Sequence, residues 1–127
     1  QRFAVGVDLE LPRRLPPHSP DQVLQVYRIV QEAVSNAVRH GGARRLRMAV
    51  STHDRAVDVQ IDDDGRGFAA RNGEPQSGIG LHVMEYRARV LGGTLHLGNH
   101  PPHGASVRLH YPVARPVEAG TEPKLIP

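Results

Sequence analysis

Ile61-Asp62-Asp63-Asp64-Gly65-Arg66-Gly67-Phe68 is the stretch on which the reading of this chain turns. Val57, Val59 and Ile61 run into it, alternating with Asp58 and Gln60, which is the period of a half-buried strand. The strand then breaks into three carboxylates and a Gly-x-Gly. Glycine costs backbone entropy in a strand and adds nothing to its packing, so this ending predicts close approach of the backbone to something. A carboxylate accepts hydrogen bonds from an exocyclic amino group such as that of adenine. Asp63 is therefore read as the floor of a nucleotide pocket, with Gly65 and Gly67 leaving room for a flat ring. Adjacent carboxylates repel, so one of the three is expected to do this work.

Outward from that stretch, Leu46, Met48 and Val50 alternate with Arg45, Arg47 and Ala49. With Thr52-His53-Asp54-Arg55 as a turn, they predict an antiparallel hairpin with the strand from Val57. Before it lies a helix. Ser19 is placed to cap it, Pro20 suits its first position, and Gln22 completes a capping box. Val23, Val26, Tyr27, Val30, Ala33, Val34 and Ala37 recur at helical spacing and are expected to form its apolar stripe. Gly41-Gly42 stops it. Glu32, Asn36 and Arg39 fall on another stripe, with His40 at its edge. Glu32 supplies a carboxylate able to orient or deprotonate a nucleophile. Asn36 supplies a neutral oxygen suited to Mg²⁺, and Arg39 a cation for phosphate oxygens. Such a polar face is more often simply solvated, and carries little weight alone.

After the acidic turn, Ala69 to Ser77 is polar, with Asn72-Gly73 and Pro75, and reads as a mobile loop. Gly78-Ile79-Gly80-Leu81 opens a helix that ends at Gly92-Gly93. The free N–H groups of a helix start bind phosphate, and glycines permit its approach. The stretch lacks the Gly-Lys-Ser/Thr of a Walker A loop and the third glycine of a dinucleotide fingerprint. Thr94 to Leu97 and Ala105 to Tyr111 read as two further strands. Phe3, Val5, Val7 and Leu9 predict a first strand with one covered face. Leu11 to Pro17, with three prolines, is a connecting loop. Strands that alternate predict a mainly antiparallel sheet covered on one face, and two long helices are available to cover it. The expected fold is an α/β (α+β) two-layer sandwich.

The chain has 127 residues, enough for one domain with a real core. It contains no cysteine, which excludes disulfides and thiolate metal sites. No apolar run approaches the ~20 residues of a membrane helix. The expected location is the cytoplasm, and a membrane anchor elsewhere in the parent protein is left open. A start at Gln1 without Met is expected of a piece of a longer protein. The net charge of +3 comes almost wholly from scattered arginines. Without interleaved aromatics for base stacking, nucleic acid is not an expected partner. His96, His100, His103 and His110 fall near one hairpin with no carboxylate among them in sequence, and a metal site there is not expected.

Order and spacing join these features into a resemblance. Glu32-Ala33-Val34-Ser35-Asn36-Ala37-Val38-Arg39-His40 resembles the N box of sensor histidine kinases. Asp63-Asp64-Gly65-Arg66-Gly67-Phe68 resembles their Asp-x-Gly-x-Gly box, and Gly78-Ile79-Gly80-Leu81 their second glycine box. Leu81 to Leu95, with Met84, Arg87 and Leu91-Gly92-Gly93, is similar to the subgroup that works with NarL-type response regulators. Gly104-Ala105-Ser106-Val107 stands where the family has its final Gly-Thr-x-Val.

The resemblance covers roughly residues 3 to 113. It implies the Bergerat fold of the GHKL superfamily, shared with gyrase and MutL, binding ATP and Mg²⁺, with residues 69–77 as the ATP lid. It implies that Glu32 assists the chemistry, Asn36 holds Mg²⁺, and Arg39 and His40 approach ribose and phosphates. Asp63 would receive the adenine amino group, with Gly65 and Gly67 beside it. Gly78, Gly80 and Leu81 would meet phosphates through their backbone. Ala105 replaces the usual Thr, so a hydroxyl near the adenine is missing. The implied activity is transfer of the ATP γ-phosphate to a His on a separate dimerisation domain, with none in this chain. Residues 1–113 are expected to form the ATP-binding domain and 114–127 a disordered tail. A nucleotide-responsive binding module without transfer, or an anti-sigma-type serine kinase on the same fold, remain as alternatives.

Overall fold

The computed structural model describes residues 5–67 and 79–113. The elements are β1 (Gly6–Glu10), α1 (Pro20–Ser35), β2 (Arg45–His53), β3 (Ala56–Asp63), α2 (Ile79–Val90), β4 (Thr94–Asn99) and β5 (Ala105–Pro112). The five strands form one sheet in the order β1-β2-β3-β5-β4. β1 lies parallel to β2, and every other pair is antiparallel. A parallel pair needs a long crossover, and α1 is carried on it. The mixed sheet with two helices is the two-layer α/β architecture expected above. The loop from Ala69 to Ser77 and the tail from residue 114 lie outside the described residues.

Alternation sorts the sheet. Val57, Val59 and Ile61 of β3 stand opposite Tyr111, Leu109 and Val107 of β5. All six are buried, together with Ile29 and Ala33 of α1 and Leu81, Met84 and Ala88 of α2. Asp58, Gln60 and Arg108 occupy the alternate positions, on the face without helices. The β2–β3 turn is the two-residue Asp54-Arg55, where Asp54 takes a left-handed φ of 54°.

α1 starts as its sequence predicts. The Ser19 hydroxyl accepts from the Gln22 N–H at 3.1 Å, and the Gln22 carboxamide oxygen accepts from the Ser19 N–H at 2.9 Å. Its buried face differs from the predicted stripe. Gln25, Ile29 and Ala33 are buried, whereas Val23 and Tyr27 are 55% and 58% exposed. The 3.6-residue period is compatible with two adjacent apolar stripes, and the sheet selects the one centred on Ile29. The first strand also differs. β1 begins at Gly6, and Val7 and Leu9 are 55% and 57% exposed instead of covered. β1 is the sheet's edge, and the helix layer does not reach over it.

Two contacts set α2 against α1. The Arg87 guanidinium donates to the Gln25 carboxamide oxygen at 2.8 Å, and Gln25 donates in turn to Asp21 at 3.3 Å. At the other end, Gly80 lies directly against the Glu32 side chain. The helices therefore run antiparallel, with the start of α2 beside the last full turns of α1.

Candidate functional site

The end of α1 is where the sequence departs from regular helix. Asn36–His40 forms a π-helical turn, in which the Gly41 N–H reaches back to the Asn36 carbonyl at 3.0 Å. Such a turn widens the helix by one residue and changes which way later side chains face. Glu32, Asn36 and Arg39 therefore do not continue as one regular stripe. Asn36 faces an open cleft bounded also by Ala33, Ala37 and Gly41. Asp63, Gly67, Ala105 and Val107 complete it from β3 and β5. Arg39 and His40 are exposed and do not line it.

Each member of the acidic triplet has its own task. The Asp63 Oδ1 accepts from the Gly65 N–H at 2.8 Å and the Ala105 N–H at 3.2 Å. No hydrogen bond among the described residues engages its other oxygen. Asp62, one residue along, points to the opposite face and accepts from the Gln60 carboxamide at 3.0 Å. Asp64 lies past the strand and accepts from the Arg44 and Arg45 N–H groups at 2.8 and 2.9 Å. Those backbone bonds, Arg45's first, hold the Asp64 carboxyl below its ordinary pKa. Strand alternation thus separates three carboxylates that look alike in sequence.

The glycines of the turn are set by contact. Gly67 has φ 75°, and a Cβ there would run into the Gly104 carbonyl. Gly104 has φ 122°, and a Cβ there would overlap the Asp63 carbonyl. Both are left-handed conformations that L side chains avoid. Gly65 is buried against the Gly41 carbonyl, and Arg66 N–H bonds that same carbonyl at 2.9 Å. Gly41, read in sequence with Gly42 as a helix stop, therefore also seats the acidic turn. His103 is a second residue that local reading missed, its Nδ1 lying 3.3 Å from the Gly65 carbonyl. Neither position carries a chemical pattern that would mark it beforehand.

The remaining expected residues lie nearby. A Cβ on Gly80 would overlap the Glu32 carboxylate, so glycine lets that side chain rest against the start of α2. The Leu81 side chain is buried in the core, which leaves its backbone for any contact in the cleft. The first-turn N–H groups of a helix have no partner within it. Gly78 lies outside the described residues. The histidines are scattered by the fold, and β3 brings them carboxylates that sequence proximity did not show. His53 Nε2 and His110 Nδ1 sit 2.6 and 2.8 Å from opposite oxygens of Asp58. His100 lies 4.0 Å from Asp62. Among the described residues no three such groups converge on a metal position. Burial alone would raise the Asp58 pKa, but the bonds to His110 and His53 outweigh it and hold the carboxyl low.

A mixed five-stranded sheet, two helices on one face, and a cleft floored by an aspartate between glycines define an ATPase fold of the GHKL type. The chain belongs to the family described as histidine kinase-, DNA gyrase B- and HSP90-like ATPase, whose model matches residues 21–115. Solved structures agree. The histidine kinase domain of the blue-light activated histidine kinase from Erythrobacter litoralis EL346 superposes with a TM-score of 0.71 at 22% identity, covering 88% of this chain and 53% of that one. The ATP binding domain of PrrB from Mycobacterium tuberculosis gives 0.63 at 28% identity, covering 85% and 81%. The Acinetobacter baumannii histidine kinase AdeS gives 0.71 at 18% identity, covering 87% and 55%. The chain thus spans about half the length of the Erythrobacter and Acinetobacter structures.

Proposed function

We propose that this chain is the ATP-binding catalytic module of a two-component sensor histidine kinase. It would donate the ATP γ-phosphate to a His on a dimerisation domain outside the chain, and act through a NarL-type response regulator. One observation carries the reading: the cleft is floored by Asp63, with one oxygen pinned by two backbone N–H groups and the other not engaged by any described residue. A buried carboxylate held in that way is suited to an amino group on a flat base. The ATP-binding domain would be residues 1–113, working in the cytoplasm.

The residues present fit Mg-ATP. When bound, it supplies the transferable phosphoryl group and the charge-neutralising metal. Asp63 holds the adenine amino group, and Gly65 and Gly67 keep side chains off the ring. Asn36, on the cleft wall, offers its carboxamide oxygen to Mg²⁺. Gly80 and Leu81 in the first turn of α2, with Gly78 ahead of them in sequence, would offer backbone N–H groups to phosphate oxygens. Arg39 and His40, exposed on the π-helical turn, would meet ribose and phosphates. Glu32, against Gly80, orients the incoming imidazole or accepts its proton. Ala105 brings no hydroxyl, but its N–H supports Asp63 directly.

The test is phosphotransfer. The domain is mixed with, or fused to, a helical dimerisation domain bearing a His, and labelled ATP is added. Acid-labile, base-stable label on that His is expected, and its loss in Asn36→Ala. No transfer with any such domain overturns the kinase assignment. ATP binding without transfer would leave a nucleotide-responsive binding module.

A further inference from the structure

α1 carries two apolar stripes, one taken wholly by the core and the other only in part. Ile29 and Ala33 enter the core, while Val23, Tyr27, Val30 and Val34 follow a 4-3-4 spacing on one flank, where Val30 and Val34 are half-buried against core residues and Val23 and Tyr27 stay exposed. That is the a/d spacing with which one helix receives another. α2 lies on the opposite flank, where it meets Gln25 and Glu32. The second flank faces the β1 side, because Val34 packs with Val5 onto Leu46 at the start of β2. On β1, Val7 and Leu9 pair with Leu46 and Met48 and so share their helix-side face, yet both are more than half exposed. Helices pack about 8–10 Å apart and strands about 4.8 Å apart, so two helices cover about four strands. Among the described residues the fifth strand, β1, has no helix over it.

Charge narrows what would fit. Asp8 and Glu10 of β1 turn to the other face and pair with Arg45 and Arg47. On α1, Asp21 accepts from Gln25 and Glu32 lies beside Gly80, both toward α2. Arg13 and Arg14, in the connector between β1 and α1, are exposed and have no ion-pair partner among the described residues. The connector that joins β1 to α1 at one end of the trough is therefore basic, and the trough's floor is apolar.

We infer that the flank of α1 and the uncovered face of β1 form a docking groove for an amphipathic helix with acidic flanks, supplied by a partner protein. The partner helix lies over β1 as a third member of the helix layer. Its apolar residues meet Val7, Leu9, Val23 and Tyr27, and its carboxylates meet Arg13 and Arg14. The groove does not use the nucleotide cleft, so this inference stands or falls apart from the kinase reading.

The probe is a labelled helical peptide of about three heptads with Leu at a and d and Glu at e and g. Its twin carries Lys at e and g. Fluorescence anisotropy with the whole chain is expected to show saturable binding of the acidic peptide, about tenfold tighter than the twin. Tyr27→Asp and, independently, Val23→Asp each weaken binding about tenfold or more, with helix content checked by circular dichroism. Tyr86→Asp, 59% exposed on α2, leaves binding unchanged. Charge reversal by Arg13→Glu with Arg14→Glu inverts the preference between the peptides. Absent binding, equal binding of the two peptides, or binding indifferent to Tyr27→Asp overturns the proposal. So does self-association that Tyr27→Asp abolishes, which assigns the groove to a second copy. Binding to phosphatidylserine vesicles without peptide binding overturns it in favour of a membrane surface.

Discussion

Asp63 does two jobs with one carboxylate. Its Oδ1 closes the turn onto the Gly65 and Ala105 N–H groups, and among the described residues no hydrogen bond engages its second oxygen. Asp63→Asn keeps an acceptor for the turn but presents a different group to the ligand. ATP affinity by calorimetry should fall by about 1–3 kcal/mol, with little change in unfolding midpoint. An unchanged affinity would remove the adenine assignment. Gly104→Ala tests the neighbouring packing. Its φ of 122° and the overlap of a new Cβ with the Asp63 carbonyl predict a loss of about 1–3 kcal/mol in urea unfolding. At this scale the sequence identified Asp63 and its flanking glycines, because carboxylate and glycine chemistry is local. It did not tell Asp62, Asp63 and Asp64 apart in their tasks, since these depend on which strand or loop each one meets.

Among the elements, α1 gives the sharpest test of what patterning can and cannot say. Ser19, Pro20 and Gln22 act over three residues, and the cap forms as read. Ser19→Ala should cost about 1 kcal/mol. The choice of buried face is not local. Ile29, 1% exposed, should lose about 2–5 kcal/mol on change to Ala. Tyr27→Ala, on the exposed flank, should stay within about 0.5 kcal/mol. Chemical denaturation of the two variants distinguishes the observed stripe from the predicted one, in which Tyr27 counted as core. The π-helical turn at Asn36–His40 was equally invisible, because it follows from how Gly41 must meet the acidic turn and has no residue signature of its own. β1 read as half-covered because alternation marks a face without saying whether anything lies over it.

The whole molecule adds couplings across the sheet. On its open face, Asp58 of β3 is held between His53 of β2 and His110 of β5. Burial opposes its charge, but those bonds outweigh burial, and its pKa lies below the ordinary 3.8. A carboxyl depressed by folding adds stability above its ordinary pKa and loses it as pH falls through the folded value. Unfolding midpoints should therefore drop as pH falls through and below the ordinary 3.8, and Asp58→Asn should flatten part of that slope. An identical slope in the variant would show that the two histidine contacts do not bias the carboxyl. The opposite end of the same strand carries Asp63, so β3 links an acid-sensitive cluster to the floor of the cleft.

By itself the sequence determined the alternating strands, the capped first helix, the acidic glycine turn and the class of chemistry those groups suit. Each rests on residue type, spacing or a bond within a few positions. Tertiary structure decided which stripe of α1 is core, which of three aspartates reaches the cleft, and why Gly41 and Gly104 must be small. It also decided that Asp58 gathers two histidines 5 and 52 positions away. These outcomes depend on strand order and on the reach of the helix layer. Both emerge from packing five strands against two helices, and no short stretch of chain encodes them.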